Sequence, residues 1–217
     1  MGLGFKLKQL SYGFGHPVDY QSHQWMAAFS EREQSTLWSS EAVPERPAGG
    51  LRDDTMRLTA EMKGLSDPER LQHLFLTGYL AEDILQKVDR ASMYNSLEVR
   101  APFLSRRFAE YALALPFRDK LRGQVSKFAL KEMASRMLPT SIIKRPKHGF
   151  APPLARLIRT VLRQRMEGLL FDTRSPIEHW FNKSEIRRYW KEHQSARRDH
   201  HRKLWTLAIL FLIASKA

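Results

Sequence analysis

Apolar side chains recur every three to four residues along most of this sequence, in blocks that prolines interrupt. That spacing places them on one face of a helix, whereas a half-buried strand would need strict alternation, which the chain does not show. Pro102, Pro116 and Pro139 each stop a helical block, because proline cannot continue a helix. The pattern therefore predicts a mostly α chain in which helix follows helix.

Capping signals predict where several helices begin. S-x-x-E boxes occur at Ser30 and Ser66, and Asn182 starts a similar pattern; such side chains satisfy the first backbone N–H groups of a helix. We expect a short helix after Ser30 and a helix of about four turns after Ser66. Further helices are predicted over 80–97, Arg106–Leu115, Lys127–Met137, Leu154–Leu170, Asn182–His193 and Arg202–Ser215.

The length of 217 residues, with 42% hydrophobic content, predicts one domain or one and a half. The predicted organisation is a helical entry (1–40), a Pro- and Gly-rich loop (41–54), core helices with motif loops (55–153) and C-terminal helices (154–217). The apolar run Leu204–Ala214 is too short to span a bilayer of roughly 30 Å. It predicts a buried terminal helix, and no membrane partner is expected.

The chain has no cysteine, which excludes disulfides, thiolate metal sites and a cysteine nucleophile. It fits a reducing compartment, and the N-terminus lacks the apolar run and cleavage site of a signal peptide, so a cytoplasmic location is expected.

The motifs G-x-x-x-x-G-K-[ST], G-x-G-x-x-G, H-E-x-x-H and G-x-S-x-G do not occur. His200 and His201 are adjacent and the other histidines lack ligand spacing, so we expect solvated or capping histidines and no metal site.

The formal charge of +13 indicates attraction to anions, which could be nucleic acid, an acidic membrane surface, a phosphorylated substrate or an acidic partner. Between Lys144 and Lys203 there are sixteen Lys and Arg against six Asp and Glu. The basic character therefore belongs to one half of the chain. An ordinary solvated basic surface is the alternative explanation.

Two segments do not look like ordinary packing. The first, Asp83–Leu104, places Asp89, Arg90, Glu98 and Arg100 around a helix end with apolar neighbours, where a carboxylate is costly to bury without a partner. Glu98 could take part in catalysis, or it could form a structural salt bridge with Arg90 or Arg100.

The second segment is K-R-P-K-H-G-F-A-P-P, from Lys144 to Pro153. Its prolines stiffen a loop that presents cations such as Lys147, and Gly149 allows a close approach of the backbone. A basic surface turn is the alternative interpretation.

The run Y-L-A-E-D-I-L-Q-K-V-D-R-A-S-M-Y-N-S-L-E-V-R-A-P-F-L, which begins at Tyr79, resembles the Y-L-P-x-D-x-L-x-K-x-D-R-x-S-M-x-x-S-L-E-x-R-x-P-F-L-D pattern of the asparagine synthetase family. Further similar motifs follow at the family's spacing. They are L-R-G-x-x-S-K-F-A-L-K (Leu121–Lys131), L-P-x-x-I-x-x-R-P-K-x-G-F-x-x-P (Leu138–Pro153) and R-R-D-H-x-R-K-L-W (Arg197–Trp205), and W-x-x-x-F-S-x-x-E precedes them at Trp25–Glu33. The resemblance covers essentially the whole chain.

The resemblance implies the helical C-terminal half of an adenine-nucleotide alpha-hydrolase-like (PP-loop ATPase) synthetase domain. In that family an amidohydrolase domain releases ammonia from glutamine, and the synthetase domain adenylates a small-molecule carboxylate with ATP and Mg²⁺ before ammonia displaces AMP. Lys147 matches the family's lysine that stabilises phosphoryl charge. Glu98 matches a glutamate that manages the amine proton in relatives that close lactam rings, and Arg100 is a candidate partner for Glu98 or for an anionic substrate group.

The sequence also departs from the family. The strings S-G-G-x-D-S and G-D-G-x-D-E-x-F-G-G-Y, which hold ATP and its metal, do not occur, and the parallel sheet that carries the ATP loop is missing with them. Gly2 stands where the glutaminase half has its cysteine nucleophile, and Ser105 and Ala81 replace a common aspartate and proline. The isolated chain is therefore not expected to catalyse the reaction.

Three interpretations follow. In the first, the chain is part of a synthetase that a complementary N-terminal synthetase and glutaminase polypeptide completes. In the second, it is a non-catalytic remnant that acts as an interaction module and either self-associates or binds a partner. In the third, which is the least favoured, it is a basic nucleic-acid-binding protein. The acceptor carboxylate, aspartate or another, is not encoded in the motifs.

Overall fold

A computed structural model describes residues 18–40, 59–60, 62–146 and 152–216. The chain divides into two compact units: unit 1 combines residues 1–55 with 150–217, and unit 2 consists of residues 56–149. The predicted loop over 41–54 and the apolar positions before residue 18 lie outside the described residues.

The described residues are mostly helical, as the sequence predicts. Unit 1 begins with α1 (Val18–Met26) and α2 (Glu31–Leu37). Unit 2 follows with α3 (Asp67–Leu74), a π-helix (Phe75–Leu85), α4 (Gln86–Tyr94), a 3-10 turn (Pro102–Leu104), α5 (Arg106–Ala114), α6 (Phe117–Lys120), β1 (Leu121–Arg122), β2 (Val125–Ser126), α7 (Phe128–Ala134) and α8 (Thr140–Ile143). Unit 1 resumes with α9 (Leu154–Arg159), α10 (Arg163–Leu170), a 3-10 turn (Glu178–Trp180), α11 (Lys183–Gln194) and α12 (His201–Ala214).

The predicted capping residues begin three of these helices. At α2 the Ser30 hydroxyl accepts the N–H of Glu33 (3.4 Å), and the N–H of Ser30 donates to the Glu33 carboxylate (3.1 Å). At α3 the N–H of Ser66 donates to the Glu69 carboxylate at 2.8 Å. At α11 the Asn182 side chain accepts a backbone N–H two residues ahead at 3.1 Å. These interactions are local, which is why the sequence located them.

The predicted single helix over Leu154–Leu170 is wrong, because the chain leaves helical geometry at Thr160. This residue has φ −121° and ψ −98°, and its hydroxyl donates to the Arg156 carbonyl at 2.9 Å, which offers that carbonyl an alternative to the regular helical bond. The N–H of Leu162 bonds instead to the Leu157 carbonyl at 2.8 Å. The result is two short helices, α9 and α10, joined by a tight turn.

A β-hairpin that the sequence analysis did not predict separates α6 from α7. Leu121 pairs with Ser126 and Arg122 with Val125 in antiparallel register. Gly123 adopts the positive φ (58°) that the tight turn requires. Two residues per strand are too few to produce a visible alternation of apolar and polar side chains.

The helix predicted after Ser66 continues through α3, the π-helix and α4 without a break. Hydrogen bonding from residue i to i+5 widens each turn of the π-helix, so residues four and five apart share a face. Phe75 and Tyr79, four residues apart, meet edge to face with ring centroids at 6.2 Å. A four-residue spacing also fits one face of an α-helix, so the sequence predicts an α-helix here.

Unit 1 has a hydrophobic core around one face of α12. Leu204, Leu207, Ala208 and Phe211 on that face are at most 2% exposed. The other buried members of the core are Phe29, Leu37, Ile158, Met166, Leu170, Ile177, Phe181, Ile186, Tyr189 and Trp190. Burying one such side chain contributes about 1.5–3 kcal/mol. This cluster is therefore the main source of the stability of unit 1.

Polar contacts also join the two sequence segments of unit 1. The N–H of Asn182 donates to the Leu37 carbonyl at 2.7 Å. The Lys203 ammonium on α12 donates to the Glu33 carboxylate at 2.6 Å. Glu33 therefore both completes the cap of α2 and pairs with α12, and it connects residues far apart in the sequence.

The expectation of a buried terminal helix is correct for one face of α12 only. On the opposite face Trp205, Ile209, Leu210 and Ile213 are 36–61% exposed. Within the part of the chain that the structure describes, no helix is both long enough and apolar enough to cross a bilayer.

Unit 2 differs from unit 1 in how little apolar surface it buries. Among its described residues, Met62 and Leu74 are the buried hydrophobic side chains. Exposed large hydrophobic side chains include Phe75, Tyr79, Val88, Met93, Tyr94, Leu97, Val99, Phe103, Leu104, Tyr111, Met133, Met137, Leu138 and Ile142. Exposed apolar surface of this extent is typical of a face that contacts another polypeptide.

Two leucines of α12 test the assignment of the core. Leu207→Ala removes a side chain that is 2% exposed, and Leu210→Ala removes one that is 37% exposed. We expect Leu207→Ala to lower the free energy of unfolding by about 2–5 kcal/mol and Leu210→Ala to change it by less than half as much. Urea unfolding followed by circular dichroism measures both, and equal losses would contradict the assigned orientation of α12.

Candidate functional site

The backbone after α4 presents the candidate residues Glu98 and Arg100. Helix α4 ends with Ser96 in the left-handed region (φ 56°). The N–H of Ser96 bonds to the Met93 carbonyl and that of Leu97 to the Ser92 carbonyl, both at 2.9 Å. This is the pattern of a Schellman motif, which turns the chain away from the helix axis. Residues 97–100 consequently run outside any helix.

Glu98 and Arg100 form an ion pair in that segment. Arg100 donates from Nε to Glu98 Oε1 at 2.6 Å, and its Nη2 contacts the same oxygen. Of the two bridges that the sequence left open, the structure therefore contains the one with Arg100 rather than with Arg90. The Arg100 side chain is 88% exposed and that of Glu98 67% exposed.

The pair lies on a surface with apolar neighbours. Leu97 and Val99, which alternate with the charged residues, are 59% and 49% exposed. Phe103 follows in the 3-10 turn and meets Phe108 edge to face at a centroid distance of 5.0 Å. A charged pair among exposed apolar side chains can bind a polar group, provided that another surface covers the apolar side chains around it.

Lys147, the other candidate, lies outside the described residues, as do residues 148–151. The described end of the same loop places Lys144 and Arg145 at the surface after α8. Asp89 and Arg90 are exposed on α4. The structure thus gives the environment of Glu98 and Arg100 and leaves the position of Lys147 as a prediction.

The expectation of solvated or capping histidines is wrong for His193, and His200 is buried although it occupies the N-cap position of α12. His193 is fully buried and His200 is 8% exposed, and both make hydrogen bonds around the Arg197–Trp205 motif. A signal existed in the sequence, since Ile186, Tyr189 and His193 recur at the spacing of one buried helix face. Among the described residues no group of three His, Asp or Glu side chains could hold a metal ion.

A small cleft in unit 1 lies between α11 and the end of α10. It has a volume of about 40 Å³ and is lined by Phe171, Glu178, Lys183 and Arg187, among others. Space of that size accommodates little more than a water molecule. The cleft therefore does not provide a nucleotide site.

A comparison with protein families identifies the lineage. The model of the family described as asparagine synthase matches residues 8–215 of this chain. The chain belongs to the asparagine synthase family.

Curated relatives agree with this membership of the asparagine synthase family. A putative glutamine-hydrolyzing asparagine synthetase of Mycobacterium tuberculosis is 33% identical over 173 residues, which cover 77% of this chain and 26% of the relative. Glutamine-hydrolyzing asparagine synthetase 1 of Bacillus subtilis is 26% identical over 166 residues, which cover 76% of this chain and 26% of the relative.

The glutamine-hydrolyzing asparagine synthetase of Gallus gallus is 36% identical over 76 residues, 34% of this chain and 13% of the relative. No solved structure matches the chain. The chain spans about a quarter of the length of the Mycobacterium tuberculosis and Bacillus subtilis relatives.

The exposure of Glu98 and Arg100 predicts that neither residue is needed for folding. We expect Glu98→Gln and Arg100→Gln to change the free energy of unfolding by less than about 0.5 kcal/mol each, because exposed ion pairs contribute little. Urea unfolding of both variants beside the unmodified chain measures this. A loss of several kcal/mol would show that the pair is a structural bridge.

Proposed function

We propose that this chain forms part of an ATP-dependent amidotransferase of the asparagine synthetase type. In the proposed reaction a carboxylate is adenylated and ammonia derived from glutamine then forms the amide. Membership of the asparagine synthase family over residues 8–215 is the observation that carries the proposal. The names of the relatives, glutamine-hydrolyzing asparagine synthetases, agree with it.

Glu98 is proposed as the group that takes up the proton of the attacking amine. Both contacts from Arg100 go to Oε1 of Glu98, so Oε2 of this exposed carboxylate can face an amine. Arg100 would hold the carboxylate in place through the contacts of its guanidinium with Oε1. Lys147 is proposed, from the family motif, as the cation that faces phosphate charge.

The described residues do not fit ATP and Mg²⁺ by themselves. They contain no group of three His, Asp or Glu side chains that could bind a metal, and the small cleft in unit 1 has a volume of only about 40 Å³. ATP, when bound, supplies the leaving group that activates the carboxylate. We infer that a second polypeptide surface provides the groups that hold ATP and Mg²⁺, and that the chain alone does not catalyse the reaction.

We propose that this surface belongs to a complementary synthetase and glutaminase polypeptide, either joined to this chain or separate from it. The chain covers 26% of its Mycobacterium tuberculosis relative, which leaves most of such an enzyme to be supplied. The exposed apolar side chains around the candidate pair, such as Leu97, Val99 and Phe103, support contact with that polypeptide.

A second candidate function is a non-catalytic interaction module. The exposed hydrophobic side chains of unit 2 favour it as well, because apolar faces also drive self-association. The two functions differ in one measurable outcome. A synthetase part restores amide formation when the complementary polypeptide is added, and an interaction module does not.

The proposed role of Glu98 predicts a specific kinetic defect. In an enzyme reconstituted with the portion of the Mycobacterium tuberculosis relative that this chain does not match, we expect Glu98→Gln to reduce amide formation by about 10²–10⁴-fold. Adenylation, measured as exchange of pyrophosphate into ATP, should persist because it precedes attack by the amine.

Glu110→Gln is the matched control for this experiment. Glu110 forms an exposed pair with Arg106 of the same kind, with a distance of 2.8 Å from Nε to Oε1, and it should retain full activity. Equal activity of Glu98→Gln and Glu110→Gln would refute the role of Glu98. Failure to reconstitute any synthesis with several carboxylates would favour the interaction module.

Lys147 is tested in the same system. We expect Lys147→Ala to abolish pyrophosphate exchange, because the cation that faces phosphate charge is removed, while glutamine hydrolysis continues. Lys144→Ala, which changes an exposed lysine of the same loop, should have a small effect. Unchanged exchange in Lys147→Ala would assign the phosphate-facing role to another residue.

A further inference from the structure

The R-R-D-H-x-R-K-L-W motif contacts a buried histidine for which the proposed reaction has no use. His193, in the last turn of α11, is 0% exposed. Its Nε2 lies 3.1 Å from the Ala155 carbonyl oxygen, and its Nδ1 accepts the N–H of His200 at 3.2 Å. A carbonyl only accepts and an amide N–H only donates, so the ring must carry its single proton on Nε2. This arrangement requires a neutral imidazole.

The ring connects three elements. Ala155 belongs to the first turn of α9, His193 lies in the last turn of α11, and His200 directly precedes α12. The Gln194 side chain adds a second connection between α11 and α9 by donating to the Ile158 carbonyl at 3.2 Å. A second proton on the ring would occupy Nδ1, place two N–H groups against each other and break the bond to His200.

Charged groups on every neighbouring element act on His193. Burial has the largest influence and lowers its pKa. The Asp199 carboxylate, whose Oδ1 is 3.5 Å from Nδ1, opposes this. Arg159 on α9 and His201 on α12 act in the same direction as burial. Asp199 is also engaged by the N–H and Nδ1 of His201, at 3.1 and 2.8 Å.

His200 is a second buried histidine at the same corner. Its Nε2 lies 2.6 Å from Glu192 Oε2, and its ring centroid is 4.9 Å from that of Tyr189. Burial lowers the pKa of His200, the hydrogen bond with Glu192 opposes that effect, and Lys203 and Arg188 reinforce it. Glu192 accepts a hydrogen bond from a charged His200, whereas Nδ1 of His193 already accepts the N–H of His200 and has the Asp199 carboxylate only at 3.5 Å.

We propose that His193 is a pH-sensitive latch that holds the corner between α11 and α12 closed only while its ring is neutral. Uptake of a proton at Nδ1 breaks the bond to the N–H of His200, so acid favours a state in which the start of α12 separates from α9 and α11. Because α12 supplies the centre of the core, an open corner weakens unit 1. The latch is independent of the proposed synthetase chemistry.

The direction of the pH effect follows from the pKa of His193, which is lower in the closed state than the value of about 6.5 for an unfolded histidine. Above that value neither state binds the proton, and the latch contributes fully to stability. As the pH falls below it, the open or unfolded state binds the proton first, and stability is lost until the lower pKa of the closed state is reached.

Urea unfolding at pH 7.5 and pH 5.5 tests the latch. For the unmodified chain we expect the ratio of unfolded to folded unit 1, at fixed urea, to rise by a factor to which His193 contributes up to about tenfold. His193→Gln should lose that contribution, and so should His193→Asn, which keeps an acceptor near the position of Nδ1. His179→Gln, which changes an exposed histidine of the same unit, should respond as the unmodified chain does.

Nitrogen NMR of the histidine rings provides a test that needs no substitution. At pH 7.5 His193 should show the Nε2–H tautomer with an unprotonated Nδ1, and in the folded chain it should not titrate near pH 6.5. Backbone amides at His200 and in the first turn of α12 should gain exchange at pH 5.5 relative to those of α10, after correction for intrinsic rates. An Nδ1–H tautomer, free titration of His193, or equal pH responses of His193→Gln and His179→Gln would each overturn the latch.

Discussion

Burial of one face of α12 is the interaction on which unit 1 depends. Leu204, Leu207, Ala208 and Phe211 contribute a continuous apolar strip, and short helices such as α9 and α10 would be marginal without a surface to pack against. The ion pair of Lys203 with Glu33 adds a polar contact between α12 and α2 to this burial. The two cations of α12, Arg202 and Lys203, lie in its first turn, and the helix after them is uncharged.

Unit 2 has the same helical pattern as unit 1, but few of its apolar side chains are buried. Its helices have their breaks and turns, including the Schellman ending of α4, but their apolar side chains remain exposed. The candidate pair Glu98 and Arg100 is positioned by this local backbone rather than by a core. Local structure therefore presents the pair at the surface, where both side chains are exposed.

The features that sequence reasoning predicted are those that depend on neighbouring residues. Ser30, Ser66 and Asn182 cap helices as their patterns indicate, and the helical class follows from apolar spacing. The pairing of Glu98 was left between two arginines, because the choice depends on how the backbone turns at Ser96. The motifs indicated the family, which the comparison over residues 8–215 shows.

The features that sequence reasoning missed depend on contacts or on backbone geometry that the spacing of apolar residues does not encode. Thr160 interrupts the single helix that apolar periodicity predicts over Leu154–Leu170. The four-residue spacing of Phe75 and Tyr79 fits an α-helix as well as the observed π-helix. The sequence predicts a solvated or capping role for His193 because the histidines lack ligand spacing, although its spacing with Ile186 and Tyr189 matches a buried helix face. Local backbone geometry decided the first two cases, and tertiary packing decided the third.

The sharing of Glu33 between the cap of α2 and Lys203 has a consequence for how the protein is made. The two residues are 170 positions apart, and all of unit 2 is translated between them. At about 5–20 residues per second, the N-terminal segment must wait on the order of ten seconds before its partner in α12 leaves the ribosome. During that interval Phe29 and Leu37 have no core to enter, so both side chains stay exposed in the nascent chain.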